Sequence, residues 1–343
     1  MLVINWLLQR RPTYYFVRHF ASKASEIVTN VVPSNNLEAQ LDQSLLCQHS
    51  VLDHVKQSSL DIYPNTNPAF NFAAYVNKSE SLQQLLNLGV DLHKLEKRKG
   101  IPQYVLQLDF ERDMKQHLQF LTDIGIAATN LGEFLTKNPL IFKENLENMG
   151  VRINYLHSKK FNLDQITRIV YKNPFWLMIN TRRIDKRLGF FQQTFKLSGE
   201  EVRSLTAKQP RIITYNLEHI QQNTFVIKEE MGFDQLEMKH LLLSKPKLWM
   251  INRDKLMYRF EYIHRQMLVS HSDILKTPEI LQARDHRIKQ RHGFLKFLGK
   301  AQYDPRKELY VSLKSLVEGT DEEFAFYVAK SNISCYNDYL KTL

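Results

Sequence analysis

The stretch Ile166-Thr167-Arg168-Ile169-Val170-Tyr171-Lys172-Asn173-Pro174-Phe175-Trp176-Leu177-Met178 decides the fold. Its first part spaces apolar residues three and four apart (Ile166, Ile169, Val170), which places them on one face of a helix. Pro174 has no amide proton and disfavours a helical residue before it, so that helix must end there. Four apolar residues follow at once, and they fit a single packed 3-10 turn.

The same layout recurs along the chain. Prolines fall at 102, 139, 174, 210, 246 and 278, about 35 residues apart, each with an apolar group directly behind it: Tyr104 to Leu106, Leu140 to Phe142, Phe175 to Met178, Ile212-Ile213, Leu248 to Ile251 and Ile280-Leu281. Most have a short helical pattern ahead, as in Leu131, Phe134 and Leu135 or Val202 and Leu205. Sixteen and seventeen residues past the proline stand apolar pairs that mark a second helix: Tyr155-Leu156, Phe190-Phe191, Val226-Ile227, Tyr262-Ile263 and Phe294-Leu295. No unit has enough apolar positions to bury its own faces, so neighbours must stack. The spacing predicts an all-α helical-repeat solenoid, two α-helices and a short turn per repeat, over residues 79–300.

The remaining chain divides by composition. Residues 1–20 carry Arg10, Arg11 and Arg18 among apolar residues and no acid, the pattern of a mitochondrial transit peptide ending near Phe20. A secretory signal would place its basic residues before the apolar run, and here Arg10 and Arg11 follow it. Residues 21–78 lack any sustained period and read as a mostly disordered linker. Within it Cys47, His49 and His54 lack the fourth ligand of a zinc site. Residues 301–343 read as a capping helix or as a docking surface, with Asp321, Glu322 and Glu323 beside Phe324, Phe326 and Tyr327. Two cysteines, Cys47 and Cys335, fit a reducing compartment, and no apolar run is long enough to span a bilayer.

Lys plus Arg number 47 against 36 Asp plus Glu, a formal charge of +11, which favours a polyanionic partner, nucleic acid or an anionic membrane surface. Two basic series share the repeat register. Thirteen residues past the proline stand Lys115, Arg152, Arg187, Asn223, Arg259 and Arg291, so one position interrupts the charge. One or two residues before it stand Lys137, Lys172, Lys208, Lys245 and Lys276. Equivalent positions in a solenoid align, and five steps of about 10 Å per helix pair span the length of roughly 15 base pairs. Each series has a structural reading too. A lysine in a last helical turn complements the helix dipole, and an arginine can lay its stem on apolar surface and bond free carbonyls.

The proline units, with Leu135-x3-Pro139 and Leu205-x4-Pro210, resemble the mitochondrial transcription termination factor (mTERF) family. Leu131 to Asn138, Tyr155 to Lys159, Arg187 to Phe191, Phe297 to Gly299, Ala301 to Pro305 and Lys341 to Leu343 are similar to that family's third animal subgroup. The resemblance implies a left-handed superhelix with a basic concave face and a protein of the mitochondrial matrix that binds nucleic acid. It further implies negative regulation of mitochondrial DNA transcription, with a role in ribosome biogenesis. Alternatives of another class are an rRNA-binding ribosome-assembly factor and a protein-binding scaffold; transcription or ribosome-assembly proteins would dock on the C-terminal segment.

No phosphate loop, Gly-x-Gly-x-x-Gly motif or spaced metal cluster is present, so no enzyme, cofactor or metal is expected. If Lys115 and the four arginines neutralise five phosphates, the logarithm of affinity should fall with that of salt at a slope of about −4.5, measurable by titration.

Overall fold

The computed structural model describes residues 71–343. The expected transit peptide, residues 21–70 of the expected linker and the Cys47, His49, His54 trio lie outside the described residues. Among the described residues all regular elements are helical. They form two compact halves, one ending at Thr181 and one starting at Arg182.

Each repeat begins with a helix that a proline stops. In the first half Ala128–Lys137 precedes Pro139 and Leu163–Lys172 precedes Pro174; in the second, Gly199–Lys208, Gln235–Ser244 and His271–Lys276 precede Pro210, Pro246 and Pro278. The residue before the proline has nearly the same backbone each time. Asn138, Asn173, Gln209, Lys245 and Thr277 have φ from −132° to −139° and ψ from 62° to 81°. Proline crowds the helical ψ of its predecessor, and this is the compromise. The predecessor's amide still donates to the helix, as from Asn173 to Ile169 and from Gln209 to Leu205. The helix therefore completes its last bond and then turns sharply.

The turns after the prolines are 3-10 at Pro139–Lys143, Pro174–Met178, Pro246–Met250 and Pro278–Gln282. Pro210–Thr214 closes as α-helix instead. The second and third residues after each proline are buried: Ile141 and Phe142, Trp176 and Leu177, Ile212 and Ile213, Leu248 and Trp249, Ile280 and Leu281. The first residue after it points outward, so Phe175 is exposed.

Second helices follow at Leu146–Ser158 in the first half and Thr181–Thr194, Leu217–Phe225, Arg253–Glu261 and Asp285–Phe297 beyond it. Within each half, a second helix packs on the proline turn of the following repeat, and successive turns pack on one another. The residue seventeen past the proline (Leu156, Phe191, Ile227, Ile263, Leu295) is buried in every repeat. Its neighbour at sixteen is buried only as Val226 and Phe294, because the helix face has rotated partly out of the core there.

Three boundaries differ from the sequence reading. Pro102 lies inside the helix Ile101–Leu106, behind Gly100 at φ 76°, so the first repeat opens on shorter helices than the others. Order begins before residue 79, within the expected linker: Ala73–Val76 is helical, and buried Phe72 donates its amide to Glu96. Finally, Leu313–Val317 packs against Asp285–Phe297 and Pro278–Gln282, the place a next proline turn would take, so repeat-like stacking continues past residue 300.

Gly132 marks a close approach of backbone to backbone in the first half. A Cβ there would lie 2.3 Å from the Leu88 carbonyl oxygen and 2.5 Å from the Gly89 carbonyl carbon. One turn on, Thr136 receives the Asp91 amide at 2.9 Å and donates to the Gly132 carbonyl, tying the same two segments together. Backbone cannot yield as a side-chain tip can, so Gly132→Ala is expected to destabilise the fold by about 1–3 kcal/mol, read as a lower denaturant midpoint.

Candidate nucleic-acid interface

Three second helices start at a capping asparagine six residues past the proline, whereas Asp285–Phe297 starts at Arg284 without a side-chain cap. Asn145, Asn216 and Asn252 accept amides of their own first turns at 2.7 to 3.4 Å. Capping fixes where the helix begins, and hence where its thirteenth-position side chain points.

That side chain points at the next repeat. Arg152 donates through Nε to the Ile179 carbonyl (3.0 Å), and Arg187 through a terminal nitrogen to the Tyr215 carbonyl (2.7 Å). Ile179 and Tyr215 each stand five residues past their proline, where the turn has ended and the carbonyl lacks a helical partner. Asn223 donates to Ile251, at the same place, and to Trp249, at 2.8 and 3.1 Å. Arg259 bonds the Leu281 carbonyl at 3.2 Å and pairs with Asp285. Arg291 bonds the carbonyls of Ser315, Leu316, Glu318 and Gly319 and pairs with Asp321 at 2.9 Å. All five are donors stapling one repeat to the next.

This geometry corrects two expectations. Asn223 does not interrupt the register, because an amide supplies the same N–H bonds to the same carbonyls. Arg291 is fully buried and sandwiched on the Phe324 ring, so it has no face left for a phosphate. Arg152 and Arg259 are only 14% and 13% exposed. Burial, together with the nearby Arg183 charge, holds the Arg187 guanidinium below its usual range. The guanidinium heads of these arginines are bonded to backbone carbonyls, as the structural reading of this series expects.

The lysines stand outside. Lys115 pairs with Glu111, Lys137 with Glu133, Lys245 with Glu279 and Lys276 with Asp273, at 2.5 to 2.9 Å. Lys172 is exposed. Lys208 reaches the Leu243 and Ser244 carbonyls at 2.6 and 2.7 Å, capping the first helix of the following repeat. Its ammonium is lowered by burial and by the Lys245 charge, so these two members of the series are neighbours, as the register requires. Surface pairs of this kind are worth at most about 1 kcal/mol, and a phosphate can replace the carboxylate.

Further exposed cations escaped the sequence reading: Arg211 and Lys247, directly after their prolines, and Arg183, Lys186 and Lys255 in second helices. The signal was present, since the residue after the proline always faces outward. It is masked where that residue is Leu140, Phe175 or Glu279. Among the described residues no helix is long and apolar enough to cross a membrane.

Comparison with known proteins places this arrangement. The mTERF family model matches residues 68–325. The chain is 50% identical over 275 residues to Transcription termination factor 3, mitochondrial, of Drosophila melanogaster, covering 80% of this chain and 78% of that protein. With the Rattus norvegicus protein of the same name it shares 44% identity over 271 residues, 79% of this chain and 66% of that one. It is 23% identical over 189 residues to Transcription termination factor 1, mitochondrial, of Homo sapiens, 52% of this chain and 47% of that one.

Two substitutions test the staples. Arg291→Ala strands a half-exposed carboxylate and four carbonyls and is expected to cost about 3–5 kcal/mol in chemical denaturation. Asn223→Asp sets a carboxylate against two carbonyls and should destabilise more than Asn223→Ala in the same measurement.

Proposed function

This chain belongs to the mTERF family, and we propose that it binds nucleic acid in the mitochondrial matrix and regulates gene expression there. The reading is a negative regulator of mitochondrial DNA transcription that also serves ribosome biogenesis. The names of the relatives, mitochondrial transcription termination factors, support the compartment and the process. The observation that carries the binding surface is the division of the cations. Arginine donors are committed between repeats, while lysines before the prolines and Arg211 and Lys247 after them stay at the surface.

The contact set proposed is therefore Lys137, Lys172, Lys208, Lys245 and Lys276, with Arg183, Lys186, Arg211, Lys247 and Lys255 added. Lys115 belongs with the lysines by exposure. The arginines at the thirteenth position act indirectly, by holding the repeats that present these cations. Binding of this kind is driven by release of counterions from the phosphates and needs no reacting group.

Arg211→Gln and Lys247→Gln are expected to leave the melting temperature unchanged. Each should reduce the salt slope of nucleic-acid binding by about 0.9. An unchanged slope in both variants would remove these positions from the interface. Crosslinking inside mitochondria, scored for mitochondrial DNA against rRNA, separates transcriptional control from ribosome assembly.

A further inference from the structure

The second helices Leu217–Phe225 and Arg253–Glu261 run into π-helical turns, and a third such turn near the C-terminal end departs from their pattern. In Val226–Glu230 the first two residues enter the core and the next two, Lys228 and Glu229, face solvent with about half of each side chain exposed. In Tyr262–Gln266 the position of Glu229 is taken by Arg265, which is 72% exposed. The turn Phe324–Val328 repeats the layout, with Phe324 and Ala325 buried. Yet Phe326 and Tyr327 occupy the positions of Lys228 and Glu229, and they are 67% and 73% exposed. Their rings pack edge to face on each other, with centroids 5.0 Å apart.

This turn has aromatics in place of polar residues at the positions that the two earlier turns keep polar. The helix that follows, Ile333–Leu340, does not cover them: its Tyr336 packs on Phe324, on the other side of the turn. Acids precede the pair in the chain. Glu322 and Glu323 stand one helical turn before Phe326 and Tyr327, and Glu318 is exposed nearby in sequence. Residues 301–343 carry five Lys and Arg against seven Asp and Glu, a net −2 within a chain of +11. Such a surface repels phosphate. A symmetric contact between two copies through it would set acid against acid.

We propose that Phe326 and Tyr327, with Glu322 and Glu323 one helical turn before them, receive an amphipathic helix of a partner protein, one that sets Lys or Arg beside its apolar stripe. The aromatics supply the buried contact and the carboxylates select the charge.

The test uses the purified full chain and two labelled 18-residue helical probes, one of Leu and Lys, one of Leu and Glu. Fluorescence anisotropy should show binding of the Leu/Lys probe only. Phe326→Lys combined with Tyr327→Glu restores the residues of the Val226 turn and should weaken that binding by about tenfold or more. Melting temperature and nucleic-acid affinity should stay unchanged. Glu322→Gln should weaken it less and flatten its salt dependence. Equal binding by the double variant, or equal binding of the Leu/Glu probe, overturns the proposal. A benzophenone side chain at position 327, photolysed in cells, then identifies the occupant. Crosslinks to a basic, apolar segment of another protein support it, whereas crosslinks confined to this chain overturn it.

Discussion

A buried turn behind a proline ends, five residues on, in a carbonyl that has no helical partner of its own. Three repeat junctions here meet that constraint in the same way, with a donor from the second helix of the repeat before. Arg152 serves Ile179, Arg187 serves Tyr215 and Asn223 serves Ile251. The stacking of second helix on following turn brings the donor within reach, and the bond in turn fixes that stacking. Apolar burial alone would hold neighbouring repeats together without setting their register. A directional bond between a capped helix and a fixed carbonyl sets it.

The constraint sorts the cations. A guanidinium is planar and carries five N–H donors, so it can meet several carbonyls and a carboxylate at once, as Arg291 does. It also keeps its charge when desolvated, which suits it to the interior of a repeat junction. The lysine ammonium is a strongly hydrated point charge and stays at the rim, paired with a nearby acid or, as Lys208, bonded to the end of the next helix. Formal charge therefore overstates what a partner meets, because part of it is consumed between repeats.

Much of this was legible in the sequence, and the gaps have physical causes. The helix stops could be read because proline acts on its immediate neighbours, and the seventeenth position because a core residue must be apolar in every copy. The staples could not be assigned, because spacing gives the helix face on which Arg187 lies but not what lies opposite. Sorting the thirteenth position by charge made Asn223 look like a break; sorting it by hydrogen-bond donors would have kept it in line. The asparagine caps at Asn145, Asn216 and Asn252 are a helix-start signal that the sequence itself carries. The π-helical turns were not readable, since one extra residue in a helix leaves the apolar pattern almost intact. Pro102 shares the spacing of its later copies but not their backbone, and Gly100 before it marks the difference.

The staples also have a direction. In each one the donor precedes its acceptor in the chain, by 27 residues from Arg152 to Ile179 and by 28 from Arg187 to Tyr215. A chain emerging N-terminus first, from a ribosome or through a translocation pore, therefore presents each arginine before the carbonyl it will bind. Every new turn meets a waiting partner on a repeat already folded, while a repeat that arrives last leaves nothing behind it unsatisfied. Such an order lets assembly run along the chain as a ratchet, with the solenoid extended one repeat at a time.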